Sequence, residues 1–221
     1  MSGIAAQGIW FQPAASKTPD IVSRIKIVCR GRFGSVVPGA GSDLGVLFMY
    51  SEDSVPLIRP ARPKDLPRLT EIYNHYVAHS PATFDLEPKT VEQRREWFAQ
   101  FGETGRHRLL VAEESGVVLG YAGTLRWRPK PAYDMTVETT IYCAPEAVGR
   151  GIGARLYAAL FEAIANEDVH RIVAGYVPPN PASAALHERF GFRTVGTFSE
   201  VGYKFGTYWD VCWMERPGPK P

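Results

Sequence analysis

The chain has 221 residues, which is enough for one ordinary α/β domain and short for two. Hydrophobic residues make up 45% of the sequence and aromatic residues 12%, so a sizeable core is expected and wholesale disorder is excluded. A formal net charge of +2, with no run rich in lysine and arginine, argues against a dedicated nucleic-acid surface.

The cysteines and the apolar runs of the sequence predict the cellular compartment of the protein. Cys29, Cys143 and Cys212 are scattered and form no C-x-x-C motif, which predicts neither a disulfide framework nor a zinc ribbon and favours a reduced, cytoplasmic protein. No apolar run approaches the roughly 20 residues that span a bilayer. The first 16 residues lack the basic region of a signal peptide. We therefore expect a cytoplasmic protein with no membrane partner.

The first 54 residues differ in composition from the rest. Glycine, serine and proline recur, and only residues 21–28 alternate in the way of a strand. We interpret residues 1–54 as an N-terminal extension of low order. Met49 stands just before the organised part of the sequence and is a candidate for the true start. The predicted domain covers residues 55–216, and residues 217–221 form a tail.

Regular elements begin at residue 55. Lys64 opens a helix with an apolar face from Leu66 to Tyr76, while a later helix is capped by Asn180 and stopped by Gly191. The other predicted elements are strands at 56–61, 108–113, 117–124, 135–143, 171–177, 192–198 and 207–214, with helices at 91–101 and 153–166. Helices precede a run of strands, and strand and helix then alternate. This order predicts a mixed α/β sandwich around a central sheet.

A glycine-rich segment, Gly149-Arg-Gly-Ile-Gly-Ala-Arg155, lies between a predicted strand and a long predicted helix. Backbone N–H groups at glycines can approach an anion without obstruction from a Cβ, and the helix start adds a favourable dipole. Arg150 and Arg155 offer positive charges nearby. The pattern predicts a cradle for a phosphorylated cofactor, and the alternative is a loop that only turns the chain.

The same segment also fits the dinucleotide fingerprint G-x-G-x-x-G/A. That motif follows its strand immediately and needs an acid near the end of the next strand. Here residues 144–148 separate the strand from the glycines, and the strand at 171–177 runs into Pro178 with no acid. A dinucleotide site is therefore disfavoured.

Two segments resemble the GNAT acetyltransferases. The run Val148-Gly-Arg-Gly-Ile-Gly153 looks like their pyrophosphate motif Q/R-x-x-G-x-G/A, and residues 180–192 look like their second diagnostic helix. Further stretches are similar to the phosphinothricin and methionine-sulfoximine N-acetyltransferases of that superfamily. These stretches are Tyr73-Asn-His-Tyr76, Thr83-Phe84, Glu87-Pro88, residues 132–142 and residues 204–210.

The resemblance implies a mixed central sheet flanked by helices, with strands splayed at an acetyl-CoA site. It implies that acetyl-CoA is the co-substrate and that similar enzymes are commonly homodimers. The implied cofactor contacts are the backbone of Ile141, Tyr142 and Cys143, the cradle residues Val148, Gly149, Arg150, Gly151, Ile152, Gly153 and Ala154, and Asn180. Val148 departs from the motif, which usually has Gln or Arg there, so weaker cofactor binding is expected.

Acetyl transfer to an amine requires a base, because an amino acid is mostly an ammonium ion at neutral pH. Glu138 is the candidate, directly or through water: it lies on the strand at 135–143, where Thr136 and Thr140 share its face. The alternative is an ordinary solvated glutamate. His187 is the second candidate, because the resemblance places a histidine of the active site there. Its expected role is as an acid or proton relay for the thiolate or for the departing amine proton, against the alternative of a structural or exposed histidine.

The acceptor's carboxylate needs a cationic partner. Arg128 is the candidate because guanidinium matches a carboxylate bidentately, and Arg126 is a second. Tyr133, with Trp127 and Trp209, is expected to wall the acceptor pocket. His75 and His79 have helical i, i+4 spacing but no evident third ligand, so no metal site is predicted.

The predicted function is N-acetylation of a small amino-acid-like acceptor, of the phosphinothricin or methionine-sulfoximine type. A protein N-terminal or lysine acetyltransferase is one alternative, which the bulky aromatic residues around the pocket disfavour. A catalytically silent acetyl-CoA-binding module is the other. Only Val148 favours it, and the presence of both Glu138 and His187 argues against it.

Overall fold

The structure is a computed structural model and describes residues 55–219. The predicted extension at 1–54, with its strand at 21–28 and the start at Met49, lies outside the described residues, as do residues 220–221 of the tail.

Seven strands, four α-helices and three short 3-10 helices build the described part of the chain. The strands are β1 (Leu57–Pro60), β2 (Leu109–Glu114), β3 (Val117–Arg126), β4 (Thr136–Cys143), β5 (Arg171–Tyr176), β6 (Arg193–Lys204) and β7 (Thr207–Pro217). The helices are α1 (Leu66–His79), α2 (Arg95–Phe98), α3 (Ile152–Ala163) and α4 (Pro181–Arg189).

The strands form one mixed sheet in the order β1-β2-β3-β4-β5-β7-β6. All neighbours are antiparallel except β4 and β5. This parallel pair is short: it joins Thr136 to Arg171, Val137 to Ile172 and Glu138 to Val173, and stops there. Beyond Glu138 the two strands part. The predicted mixed sheet with splayed strands is confirmed.

The two faces of β4 are covered by different helices. Tyr142 packs against Tyr73 and Tyr76 of α1, with ring centroids 5.4 and 5.2 Å apart. Ile141 points the other way, toward Gly153 of α3. Because side chains alternate along a strand, Glu138 shares the α1 face with Tyr142.

The second helix is much shorter than predicted, Arg95–Phe98 instead of 91–101. Buried Arg94 precedes it, and its guanidinium carbon lies 4.2 Å from the ring centre of Tyr73 and 3.7 Å from that of Trp97. These cation–π contacts stabilise a non-helical backbone before α2, which helical periodicity alone does not predict. The last two strands are longer than predicted because β6 and β7 pair along a hairpin from Arg193–Glu215 to Lys204–Thr207.

Candidate active site

The predicted cradle starts α3. Gly149 and Gly151 have φ of +82° and +74°, a left-handed conformation that favours glycine. Gly151 is the N-cap of α3 and gives no side-chain hydrogen bond, so no cap competes for the first N–H groups of the helix. These N–H groups can therefore donate hydrogen bonds to an anion that is not part of the chain.

A cavity of about 450 Å³ opens at this helix start, between α3 and α4. Seven of the predicted cofactor residues line it: Cys143, Val148, Gly149, Gly151, Ile152, Gly153 and Ala154. Gly153 allows the close approach of α4, since a Cβ there would lie 3.3 Å from Leu186 and 3.4 Å from Ile141.

Two predicted cations of the cradle have partners within the protein. Arg150 donates to both carboxylate oxygens of Glu114, at 2.7 and 2.9 Å, and Arg155 donates to the carbonyl of Pro56. Arg189, on the last turn of α4, lines the cavity although the sequence analysis did not select it.

Asn180 has one used and one unused polar atom. Its Oδ1 accepts a hydrogen bond of 3.0 Å from the Ser183 N–H. Asn180 is therefore the N-cap of α4, as the sequence predicts. Its Nδ2 is buried and has no hydrogen-bond partner among the described residues. A buried amide donor without an acceptor is costly, so this atom fits an acceptor oxygen of a ligand.

The parting of β4 and β5 leaves backbone groups exposed to ligand. Residues 139–143 of β4 pair with β3 on one side, while the ladder to β5 ends at Glu138. The predicted residues Ile141, Tyr142 and Cys143 lie in this stretch. An extended amide chain can therefore add to the free edge of β4 as a strand would.

Glu138 lies where the strands part. Its side chain is only 9% exposed, and burial raises its pKa to about 8, opposed by the positive charge of Arg128. A carboxyl with this pKa is protonated for much of the time at neutral pH. Once ionised, it is a far stronger base than a solvated glutamate.

A second cavity, of about 540 Å³, opens beside Val173, the neighbour of Glu138 on β5. We call it the acceptor cavity. It is lined by Phe84, Trp127, Arg128, Val173, Val195, Gly196, Thr197, Phe198, Val201, Val211, Trp213, Met214 and Glu215. Most of these side chains are apolar, and Arg128 and Glu215 are the charged ones. The predicted carboxylate partner Arg128 thus lies at the cavity and near Glu138.

Comparison with known proteins agrees with this geometry. A family model described as an acetyltransferase (GNAT) domain matches residues 58–213. The chain belongs to the GNAT acetyltransferase family.

Relatives of this GNAT chain carry the names of phosphinothricin and methionine sulfoximine acetyltransferases. It is 58% identical over 162 residues to a phosphinothricin N-acetyltransferase of Streptomyces coelicolor, covering 72% of this chain and 95% of the relative. It is 35% identical to an L-methionine sulfoximine/L-methionine sulfone acetyltransferase of Pseudomonas aeruginosa, covering 72% and 92% of the two chains. The family and these names indicate N-acetyltransferase activity.

A solved structure shows the same fold with a ligand. The phosphinothricin acetyltransferase from Sinorhizobium meliloti, in complex with acetyl-CoA, superposes with a TM-score of 0.69 at 33% identity. The match covers 74% of this chain and 88% of the other.

The other predicted acceptor residues of this GNAT domain are placed less directly. Tyr133 does not line the acceptor cavity but contacts Trp127 edge to face at 5.1 Å, and Arg128 lies over the Trp127 ring at 4.6 Å. Arg126 is ion-paired with Asp134 at 2.6 Å and lines a different, open cavity. The structure therefore brings Arg128 to the acceptor cavity, where Tyr133 contacts Arg128 without lining the cavity. Arg126 lies outside the acceptor cavity.

His187, on α4, is buried against Tyr157 of α3 and lines neither the cradle nor the acceptor cavity. Its Nδ1 donates to the Ser183 carbonyl at 2.7 Å, and its Nε2 accepts from the Tyr157 hydroxyl at 3.1 Å. Burial lowers its pKa to about 4, so the ring is neutral at pH 7. Direct donation by an imidazolium, one of the two predicted roles, has no support in this geometry.

Several lining residues were missed by the sequence analysis as site residues: Phe84, Val173, Trp213 and Glu215. Trp209, predicted as a wall, instead donates to the Lys204 carbonyl at 2.9 Å and does not line the acceptor cavity. The register of β5, β7 and β6 decides which of these residues face the site. No single-sequence signal carries that register.

Other possible sites were searched in the described part of the chain. No group of three or more potential metal ligands occurs among residues 55–219, and the rings of His75 and His79 stack on each other at 4.7 Å. Cys143 and Cys212 are buried free thiols, and Cys29 lies outside the described residues. No helix within 55–219 is long and apolar enough to cross a membrane.

Proposed function

We propose that the protein transfers the acetyl group of acetyl-CoA to the amino group of a small amino-acid-like acceptor. The acceptor class is that of phosphinothricin and methionine sulfoximine, and the amine attacks the thioester directly, with Glu138 as the general base. The observation that carries this proposal is the position of Glu138, at the parting of β4 and β5.

The cradle and the free edge of β4 have the donors that acetyl-CoA requires. The open N–H groups at the start of α3 suit a pyrophosphate, together with Arg189 at the cavity wall. The edge of β4 at 141–143 suits the amides of the pantetheine arm, and Asn180 Nδ2 suits a carbonyl of that arm. Bound acetyl-CoA supplies the activated acetyl group. Val148 adds an apolar wall but no hydrogen bond, so we expect moderate affinity.

The cradle and Glu138 lie on opposite faces of β4, because Ile141 faces α3 and Glu138 faces the other side. The gap between β4 and β5 is the passage that joins the two faces. An acetyl group presented in this gap from the α3 side meets an amine held over Val173 from the other. The fold thus keeps the cofactor and the acceptor on opposite faces of the sheet, and only their reacting atoms meet, in the gap between β4 and β5.

Glu138 accepts the proton of the acceptor's ammonium group, directly or through one water, and the neutral amine attacks the thioester carbon. The raised pKa of Glu138, about 8, lies much closer to the pKa of an amine than the ordinary 4.5 of a glutamate does, so the proton transfer costs less free energy. Arg128 holds the acceptor's carboxylate, and Trp127 and Tyr133 hold Arg128 by cation–π contact. Arg126 supports this segment through its ion pair with Asp134.

For His187 we propose the relay role through Tyr157, whose hydroxyl donates to Nε2. The hydrogen bond from Nδ1 to Ser183 fixes the neutral tautomer and so orients Nε2 toward that hydroxyl. The proton that the attacking nitrogen loses as the thioester bond breaks would pass to the Tyr157–His187 pair, where Nε2 can accept it, and from this pair to the leaving thiolate.

We also propose a homodimer formed through the β6–β7 hairpin. The hairpin carries half of the large hydrophobic side chains that are exposed in the described chain: Val195, Phe198, Val201, Tyr203, Phe205 and Tyr208. So many exposed apolar side chains on one hairpin are uncommon on a monomer. A second copy covering the hairpin would also cover the outer wall of the acceptor cavity.

A thiol-release assay tests the proposed function. Acetyl-CoA is supplied with methionine sulfoximine, methionine sulfone, phosphinothricin, their decarboxylated analogues, polyamines and peptide N-termini. We expect release with one or more of the three amino acids and much less with the decarboxylated analogues. Release only with polyamines or peptides would contradict the acceptor class and leave the family assignment standing.

A further inference from the structure

A row of side chains crosses the sheet on the face of Glu138. Glu138 of β4 pairs with Val173 of β5, Val173 pairs with Glu215 of β7, and Glu215 pairs with Arg193 of β6. Directly paired residues project to the same face of a sheet. Glu138, Val173, Glu215 and Arg193 therefore form a continuous row, and Val173 and Glu215 are part of the acceptor cavity.

The length of this row suits an amino acid. Glu138 and Glu215 are two strands apart, about 10 Å at the usual strand spacing of about 4.8 Å. The acceptor spans five bonds of about 1.5 Å from its amine to the outer atoms of its head group, which is roughly 6 Å end to end because the bonds zigzag. With a hydrogen bond of about 2.8 Å at each end the total is roughly 11–12 Å, close to the separation of the two strands. An acceptor with its amine at Glu138 thus reaches Glu215 with its head.

Glu215 has a free acceptor atom at this position. Its Oε1 accepts a hydrogen bond from Arg193, and within residues 55–219 no donor reaches Oε2. The Glu215 side chain is 20% exposed, whereas Arg193 is 73% exposed and does not line the cavity. The cavity wall thus presents a carboxylate, with its neutralising cation behind it.

We propose that Glu215, held by Arg193, is the specificity-determining residue that reads the polar head of the acceptor. The inference rests on the proposed function. Glu215 favours a neutral head that donates an N–H, as a sulfoximine does, over an anionic head such as a phosphinate. A sulfone, neutral and without a donor, falls between them. The apolar wall formed by Val195, Val211 and Trp213 receives the methylene and methyl groups.

Three acceptors of nearly equal shape test this reading: methionine sulfoximine, methionine sulfone and phosphinothricin. Glu215→Gln removes the negative charge and frees Arg193. We expect kcat/KM for phosphinothricin to rise relative to methionine sulfoximine by roughly tenfold, mainly through KM, since the head is bound equally before and during reaction. Arg193→Gln leaves Glu215 unneutralised and should shift the same ratio the other way.

The control is Glu92→Gln, which removes a carboxylate paired with Arg95 on the surface, away from both cavities. It should leave the ratio unchanged. A merely structural Glu215–Arg193 pair would change all three acceptors by one factor, and in the same direction in both variants. That result would overturn the inference alone. A wild-type enzyme that acetylates none of the three would overturn the proposed function, and this inference with it.

Discussion

At the scale of single residues, the proposed chemistry depends on how Glu138 is solvated. The carboxyl is buried, no hydrogen bond within residues 55–219 stabilises its ionised form, and Arg128 offsets only part of the desolvation. The same burial that makes it a strong base makes it costly to ionise. The proposed function and the stability of the fold are therefore opposed at this residue.

Glu138→Gln should stabilise the folded protein in a pH-dependent way. The folded pKa of about 8 lies above the ordinary 4.5, so stability is fully present below pH 4.5 and is lost as the pH rises through 8. The neutral amide escapes this loss. We expect a gain in the free energy of unfolding of about 3 kcal/mol at pH 7 and little gain at pH 4.5, by urea titration. A gain that is equal at both pH values would show that Glu138 is not desolvated.

At the scale of elements, the β6–β7 hairpin closes the acceptor cavity by docking on the segment after α1. Buried Lys204 donates to the carbonyls of Ser80 and Thr83, at 3.0 and 2.7 Å. The ring of Phe84 lies directly against the backbone of Gly202, where a Cβ would collide with it. The hairpin and the 80–84 segment therefore hold one another in place.

Gly202→Ala should displace Phe84 and deform the acceptor cavity while sparing the cradle. We expect KM for the acceptor to rise roughly tenfold, the equivalent of about 1.4 kcal/mol, with the Kd of acetyl-CoA unchanged by calorimetry. The Gly202→Ala/Phe84→Ala double variant should be no worse than Phe84→Ala, because the colliding ring is gone. Additive losses in the double variant would argue against this contact.

Sequence reasoning predicted the elements whose signals are local. The cap at Asn180, the stop at Gly191 and the glycine cradle depend on neighbouring residues, and the structure contains all three. The short α2 was mispredicted because Arg94 packs against Tyr73, distant in sequence. Glu215 was missed for a related reason: its place in the site depends on β7 pairing with β5, which no local pattern records.

At the scale of the whole molecule, the proposed cofactor site lies on one face of the sheet and the proposed acceptor site on the other. The β6–β7 hairpin supplies both a wall of the acceptor cavity and the proposed dimer surface. The acceptor cavity is bounded by β5, β7 and β6 together with Trp127 and Phe84, so parts distant in sequence must assemble before an acceptor can bind. Residue chemistry and the family resemblance predicted Glu138 and Arg128 as site residues, whereas the pairing of β5 with β7 brings Glu215 to the proposed head-group end of the site.

The dimer has a direct test in solution. Light scattering should give about twice the chain mass of 24.5 kDa for the wild type. Tyr208→Glu places a charge among the exposed apolar side chains of the hairpin and should shift the protein toward monomer. Val117→Glu, at an exposed site on the β2–β3 turn, is the matched control and should stay dimeric. A monomeric wild type at micromolar concentration would contradict the proposal.

The most direct test of the general-base account is the pH dependence of kcat/KM for the best of the three amino-acid acceptors. In the wild type, kcat/KM should rise with pH and level off near pH 8, the pKa of Glu138 in the free enzyme. Glu138→Gln should lower kcat/KM by roughly 10²–10⁴ and retain only the inflection of the acceptor's own amine. A variant that keeps both the wild-type rate and the inflection near pH 8 would contradict the central claim that Glu138 is the base.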